Sequence, residues 1–313
     1  MPPDQAYIRS KDVENRASFG QRLLWRLEVL GWILMERFLL CLSPEAASNF
    51  GAFVMRRLGP FLSQHKVALD NVQKAFPDWT HEKVKATAVA AWENVGRTAG
   101  ELPHLRHITP YRTNSRIEVV NAEALDQVEQ SQSGAVFISG HFANWEVMAA
   151  VICRRPVDCL ITYRAINNPH IDRRLSRLRH DYGIQALAPK GLGTRSLMKA
   201  LQAGRSAAFL NDQKFREGLA IPFFARPAMT APGPARLAIK YNVPIIPVST
   251  VRVAPARFRV TIHDPIIPPA TGKPEEDLTQ TVTAITEFIE ARVREHPDQW
   301  FWMHRRWPKV KRA

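Results

Sequence analysis

The segment GAVFISGHFANWEVM, residues 134 to 148, places His141 and Glu146 five positions apart across a turn that leads from a buried-looking strand into a helix. Histidine is the side chain whose ordinary pKa suits proton transfer near neutrality, and a carboxylate bonded to its second nitrogen fixes the tautomer and stabilises the imidazolium. The pair is therefore expected to form a general base with its orienting group. A strand end is also where open α/β sheets bind ligands. The chain has no G-x-S-x-G elbow, and Ser139 precedes Gly140 rather than occupying a nucleophile position. The simplest chemistry is direct: His141 deprotonates an acceptor hydroxyl, which attacks an activated thioester. Spacing by itself is equally met by a helix start with a capping Glu and a satisfied His.

Three further residues belong to the expected site. Arg164 follows an apolar strand, where a guanidinium would bind phosphate or steady a developing oxyanion, or else pair with Asp172. Asp212 and Gln213 follow the short strand AAFLN and would orient the acceptor, pair with Arg164, or simply form a turn. Asn144 suits either an oxyanion donor or a helix cap, and Asn168 reads as a cap.

Elements that must position these groups are legible on both sides. Residues 44 to 112 read as helical, with Thr80 capping a long pattern from His81 to about Leu105. From Gly134 onward, short apolar runs (AVFIS, DCLITY, IQALA, AAFLN, PIIPVSTV, FRVTI) alternate with helical stretches at 144–154, 168–182, 194–203, 231–241 and 275–296. That alternation predicts an α/β fold: a central mixed sheet, its first strands parallel, flanked by helices. The Pro-rich stretch Asp264 to Pro274 reads as a surface crossover. The expected organisation is an N-terminal membrane-anchoring segment, 1–43, before one catalytic domain, 44–313. That domain divides into a helical part (44–112), an α/β core (113–300) and a basic aromatic tail (301–313). Trp300, Trp302 and Trp307, beside the tail's charges, look interfacial, though the same aromatics could pack under the sheet.

The segment QRLLWRLEVLGWILMERFLLCL, residues 21 to 42, is apolar but broken by Arg22, Arg26, Glu28, Glu36 and Arg37. It falls short of the roughly 20 uninterrupted apolar residues a bilayer crossing needs. Four of those charges share one helical sector and Glu28 lies outside it, so the segment reads as a helix in the membrane interface, with Trp25 and Trp32 at headgroup depth. A helix docked on the core has the same pattern. The residues through Arg16 are polar, unlike a cleavable signal peptide.

With 43 Lys and Arg against 29 Asp and Glu, the net charge of +14 favours an anionic partner. Basic clusters at Arg173, Arg174, Arg177 and Arg179, and at Arg305, Arg306, Lys309, Lys311 and Arg312, suit anionic lipid or an acidic carrier protein. No zinc-finger spacing, RNP string or obvious helix-turn-helix supports nucleic-acid binding. Cys41, Cys153 and Cys159 are too few for a disulfide framework or zinc site, and neither metal nor cofactor is expected.

The string GHFANWE closely resembles the H-x-x-x-x-E signature of late lipid A acyltransferases. Matching blocks follow in the same order: YRAINNP, LNDQ, IPFFARPAMTAPGPARLA, VPIIPV and PDQWFWMHRRW. The resemblance implies transfer of a fatty acyl group from acyl carrier protein to a hydroxyl of a lipid A precursor, at the cytoplasmic face of the inner membrane. Glycerolipid acyltransferases of the wider superfamily usually carry Asp in place of Glu146 and a later F-P-E-G-T-R block, which moves the expected acceptor toward glycolipids. Mycobacterial mannoside acyltransferases have a similar signature, so a phosphatidylinositol mannoside acceptor with acyl-CoA is the alternative. A non-catalytic nucleic-acid- or lipid-binding protein is the alternative from another class. Family blocks often carry Gly in the P-F-F-G segment, where this chain has Ala225.

Overall fold

The computed structural model describes residues 17–155, 157–163, 165–184, 187–189 and 194–308. Among the described residues four helices come first: α1 (Phe19–Leu40), α2 (Pro44–Leu58), α3 (Ser63–Ala75) and α4 (His81–Glu101). Ser18, Ser43 and Thr80 cap α1, α2 and α4 by accepting from backbone N–H groups that a helix start leaves unpaired. The α2–α4 crossing is close enough that a Cβ on Gly51 would lie 2.0 Å from the Gly96 carbonyl oxygen. Only glycine permits that approach, and it brings the end of α4 against the rest of the molecule.

The remaining elements are β1 (Ile117–Val120), α5 (Glu123–Ser131), β2 (Val136–Ser139), α6 (Trp145–Cys153), β3 (Cys159–Tyr163), α7 (Pro169–Asp181), β4 (Leu187–Pro189), α8 (Thr194–Gln202), β5 (Ser206–Leu210), β6 (Leu219–Phe223), β7 (Arg226–Thr230), α9 (Gly233–Tyr241), β8 (Ile245–Ala254), β9 (Arg257–Ile262) and α10 (Pro274–Glu295). Among the described residues seven strands form one sheet in the order β1-β9-β8-β2-β5-β3-β4. Neighbours run parallel except β8 and β9, so the sheet is mixed, as expected. All four residues of β2 are buried, which suits a central strand covered by helices on both faces. Val136 and Ile138 pack with α3, α4, α9 and α10, whereas Phe137 packs with α6.

Strand β1, helix α5 and the β6–β7 hairpin extend the predicted pattern. The hairpin was hidden by its prolines, since Pro222 stands opposite Pro227 and proline usually argues against a strand. Its two-residue turn holds Phe224 and Ala225 at φ of 52° and 55°, a left-handed pair that primed hairpin turns require. Ala225 pays the Cβ penalty of that region, so Ala225→Gly is expected to raise unfolding free energy by up to about 1 kcal/mol in urea titration. Unchanged or lowered stability would contradict the turn assignment.

Two expectations about aromatic residues are corrected. Trp25 is 8% exposed and packs inward, its carbonyl accepting from Asn168 Nδ2, so it does not reach headgroups. Trp32 is half-buried beside Glu36 and Arg174. In the tail, Trp300, Trp302 and Trp307 are at most 3% exposed and belong to the core under the sheet. Asn71 on α3 fixes this segment by donating to the carbonyls of Trp302 and His304. Arg306 is buried too, donating to Met229 O and Thr230 Oγ1, and burial lowers its pKa to about 10. Lys309, Lys311 and Arg312 lie outside the described residues.

Candidate active site

The site follows from strand register. Parallel β2 and β5 pair Ser139 with Leu210, so two residues further on each strand leads to His141 and Asp212. Asn211 N donates to Ser139 O at 2.8 Å, carrying the ladder one step beyond the strands. Asp212 Oδ1 then lies 2.7 Å from His141 Nδ1, while Oδ2 accepts from His141 N at 2.7 Å and from Trp300 Nε1 at 2.8 Å. Burial pushes the Asp212 carboxyl up, but the facing imidazole and these donors outweigh it and hold its pKa down, from 3.8 to about 2. An ionised carboxylate only accepts, so Nδ1 carries a proton, and it is Nε2 that has the lone pair in the neutral ring. Among the described residues, no protein group hydrogen-bonds Nε2.

The expected bond from Glu146 to His141 is therefore corrected. Asn144 caps α6 by accepting from Glu146 N at 3.2 Å, which fixes Glu146 in the helix's first turn. From there its carboxylate takes both arms of Arg179 on α7, at 2.9 Å from Nε and 2.5 Å from Nη2. The two side chains are 5% and 14% exposed, so the fork is a buried pair rather than a surface contact. Glu146 is thus already paired, and Asp212 stands in the orienting position assigned to it.

A second buried network fixes the loop after His141. Arg252 on β8 forks onto Glu101 at the end of α4, at 2.9 Å and 2.7 Å, and also donates to Asn94 and Thr98. Thr98 Oγ1 donates to Ala143 O at 2.8 Å, and Asn144 Nδ2 donates to Glu101 Oε2 at 2.9 Å. These bonds hold Ala143 at a φ of 41°, a conformation alanine rarely adopts. Asn144 therefore acts as a cap and a strut.

His141 lines a cavity of about 440 Å³ at the ends of β2, β3 and β5. That volume lies within the roughly 300–1,000 Å³ usual for small-molecule sites. Its depth is apolar, with Phe137, Met148, Ile152, Ile161, Ile184 and Val248, while Gln213 and the Glu146–Arg179 fork lie in its wall. Trp145 packs edge-on to the imidazole, with centroids 5.2 Å apart. Arg164 lies outside the described residues. Asp172, its expected partner, accepts from Ile166 N.

The basic helix α7 is largely engaged with the protein. Asn168 caps it as predicted, Arg174 pairs with Glu36 on α1 at 2.5 Å, Arg173 bonds His170, and Arg179 holds Glu146. Arg177 is left pointing outward. The roles of Arg179, Trp300 and the Arg252–Glu101 pair had no signal in local spacing.

An imidazole held by a buried carboxylate thus lines a largely apolar cavity on an α/β sheet, an arrangement that can carry out proton transfer. Residues 18–309 match the model of the bacterial lipid A biosynthesis acyltransferase family, and the chain belongs to that family. It is 25% identical over 247 residues to the lipid A biosynthesis lauroyltransferase of Escherichia coli (strain K12), covering 77% of this chain and 78% of the relative. The lipid A biosynthesis palmitoleoyltransferase of the same organism is 24% identical, over 92% of this chain and 89% of its own. A phosphatidylinositol mannoside acyltransferase of Mycolicibacterium smegmatis (strain ATCC 700084 / mc(2)155) is 22% identical, over 88% of this chain and 89% of its own.

Proposed function

We propose that this acyltransferase moves a fatty acyl group from acyl carrier protein to a hydroxyl of a lipid A precursor, with His141 as general base and Asp212 as its orienting carboxylate. The observation that carries the reading is an imidazole lining an apolar cavity with Nδ1 held by an ionised, buried Asp212. Nε2 removes the acceptor's hydroxyl proton as the oxygen attacks the thioester carbonyl. The new C–O bond forms, the C–S bond breaks, and the proton passes to the departing thiolate. The apolar depth of the cavity takes the acyl chain, and Gln213 and Arg164 orient polar parts of the substrates. Glu146 shapes the cavity wall by fixing Arg179.

The test is incubation of the purified protein with acyl carrier protein thioester and lipid A precursor, followed by mass spectrometry of the lipid. Expected is a mass gain equal to one acyl group. No transfer, or transfer from acyl-CoA to phosphatidylinositol mannoside alone, would overturn the assignment.

The reaction is placed on the cytoplasmic face of the inner membrane, with α1 in the interface. No described helix is long and apolar enough to cross a membrane. On α1, Leu23, Leu27, Leu30, Leu34 and Phe38 point outward along one side, and Phe53, Phe61 and Leu62 are exposed as well. The other side is tied to α7 through Glu28 with Asn168 and Glu36 with Arg174. Burying one leucine in lipid contributes about 1.5–3 kcal/mol. Leu27→Glu with Leu34→Glu is therefore expected to weaken co-sedimentation with anionic vesicles at least about tenfold, without changing the melting temperature. Undiminished binding would place anchoring elsewhere.

A further inference from the structure

The cavity wall holds a cationic group that the proton-transfer site does not use. Of the two described arginines in the cavity wall, Arg179 is neutralised by Glu146, whereas Arg236 has no carboxylate partner among the described residues. Arg236 is exposed on α9, and Ala231 to Pro234 just before it also line the cavity. Facing residues come from the β5–β6 loop, where Gln213 and Phe215 line the cavity and bracket Lys214, with Arg216 beyond. The two segments are tied together: Asn211 Nδ2 donates to Ala231 O, and Phe215 N to Met229 O. Lys214, Arg216 and Glu217 on the same loop do not line the cavity. Glu146, already spent on Arg179, is the one carboxylate among the described lining residues. The rim is thus net positive above an apolar depth.

We infer that Arg236 binds a phosphate ester of a substrate while its acyl chain enters the apolar depth. A guanidinium fork matches phosphate oxygens. Both substrates in the proposed reaction offer such a group, the donor on its phosphopantetheine arm and the acceptor on its glycolipid headgroup. The inference rests on that reaction for its candidate ligands, but its test needs no turnover.

Equilibrium binding is measured with two ligand pairs: an acyl-phosphopantetheine thioether against its dephospho form, and the glycolipid acceptor against its dephosphorylated form. The wild type is expected to bind one phosphorylated ligand on the order of tenfold more tightly than its counterpart. Arg236→Gln should abolish that preference and Arg236→Lys should retain part of it. The pair that shows the preference identifies the source of the phosphate. An equal preference in Arg236→Gln, or none in the wild type for either pair, overturns the inference. Acyl transfer by the wild type, measured separately, stands or falls on its own.

Discussion

Asp212→Asn is expected to lower kcat on the order of 10⁴-fold, the size seen when the carboxylate of a Ser-His-Asp triad becomes an amide. The carboxylate only accepts, and so forces the proton onto Nδ1. An asparagine amide can donate to Nδ1 instead, which favours the tautomer with Nε2 protonated and unable to take the acceptor's proton. It also removes the charge that stabilises the imidazolium. Trp300 Nε1 and His141 N still have an oxygen to donate to, so the fold should persist and KM should change far less than kcat. The same carboxylate makes the site acid-sensitive. Because its pKa is depressed from 3.8 to about 2, its contribution to stability is full above about pH 4 and is lost as pH falls through 2. Kinetics close to wild type in a folded Asp212→Asn protein would show that the pair is structural.

His141→Ala is the second large effect, with a fall in kcat on the order of 10²- to 10⁴-fold, the usual value of a positioned general base. The ring is 19% exposed and lies at a cavity wall, so its removal should leave the circular dichroism spectrum unchanged. Near-normal turnover in that protein would end the proton-transfer account. Glu146→Gln is expected to behave differently. It leaves the Arg179 guanidinium buried without its counter-charge, so its main cost is stability and cavity shape.

The elements were readable because apolar runs and helical periods are local signals. AVFIS, DCLITY, AAFLN and FRVTI became β2, β3, β5 and β9, and the five helical stretches became α6 to α10, with shifts of a residue or two at their ends. His141 was readable for the same reason, as a polar group placed where a buried strand stops. Its partner was not, because sequence proximity favoured Glu146 while strand pairing delivered Asp212 from 71 residues away. Both strands had been recognised, and a parallel register between them would have set the two residues side by side. The tail misled in another way: tryptophans among arginines look interfacial, yet Trp300, Trp302 and Arg306 find partners in Asp212, Pro297 and Thr230 that only the folded chain supplies.

The central claim is that His141 works with Asp212, and that Glu146 belongs to Arg179. It is tested most directly by measuring kcat for Asp212→Asn and Glu146→Gln, each in the presence and absence of His141→Ala. The account predicts that the Asp212→Asn loss nearly vanishes once His141 is gone, since groups acting as one unit are non-additive, while any Glu146→Gln effect persists unchanged. The reverse pattern, with Glu146 coupled to His141 and Asp212 independent of it, would contradict the account.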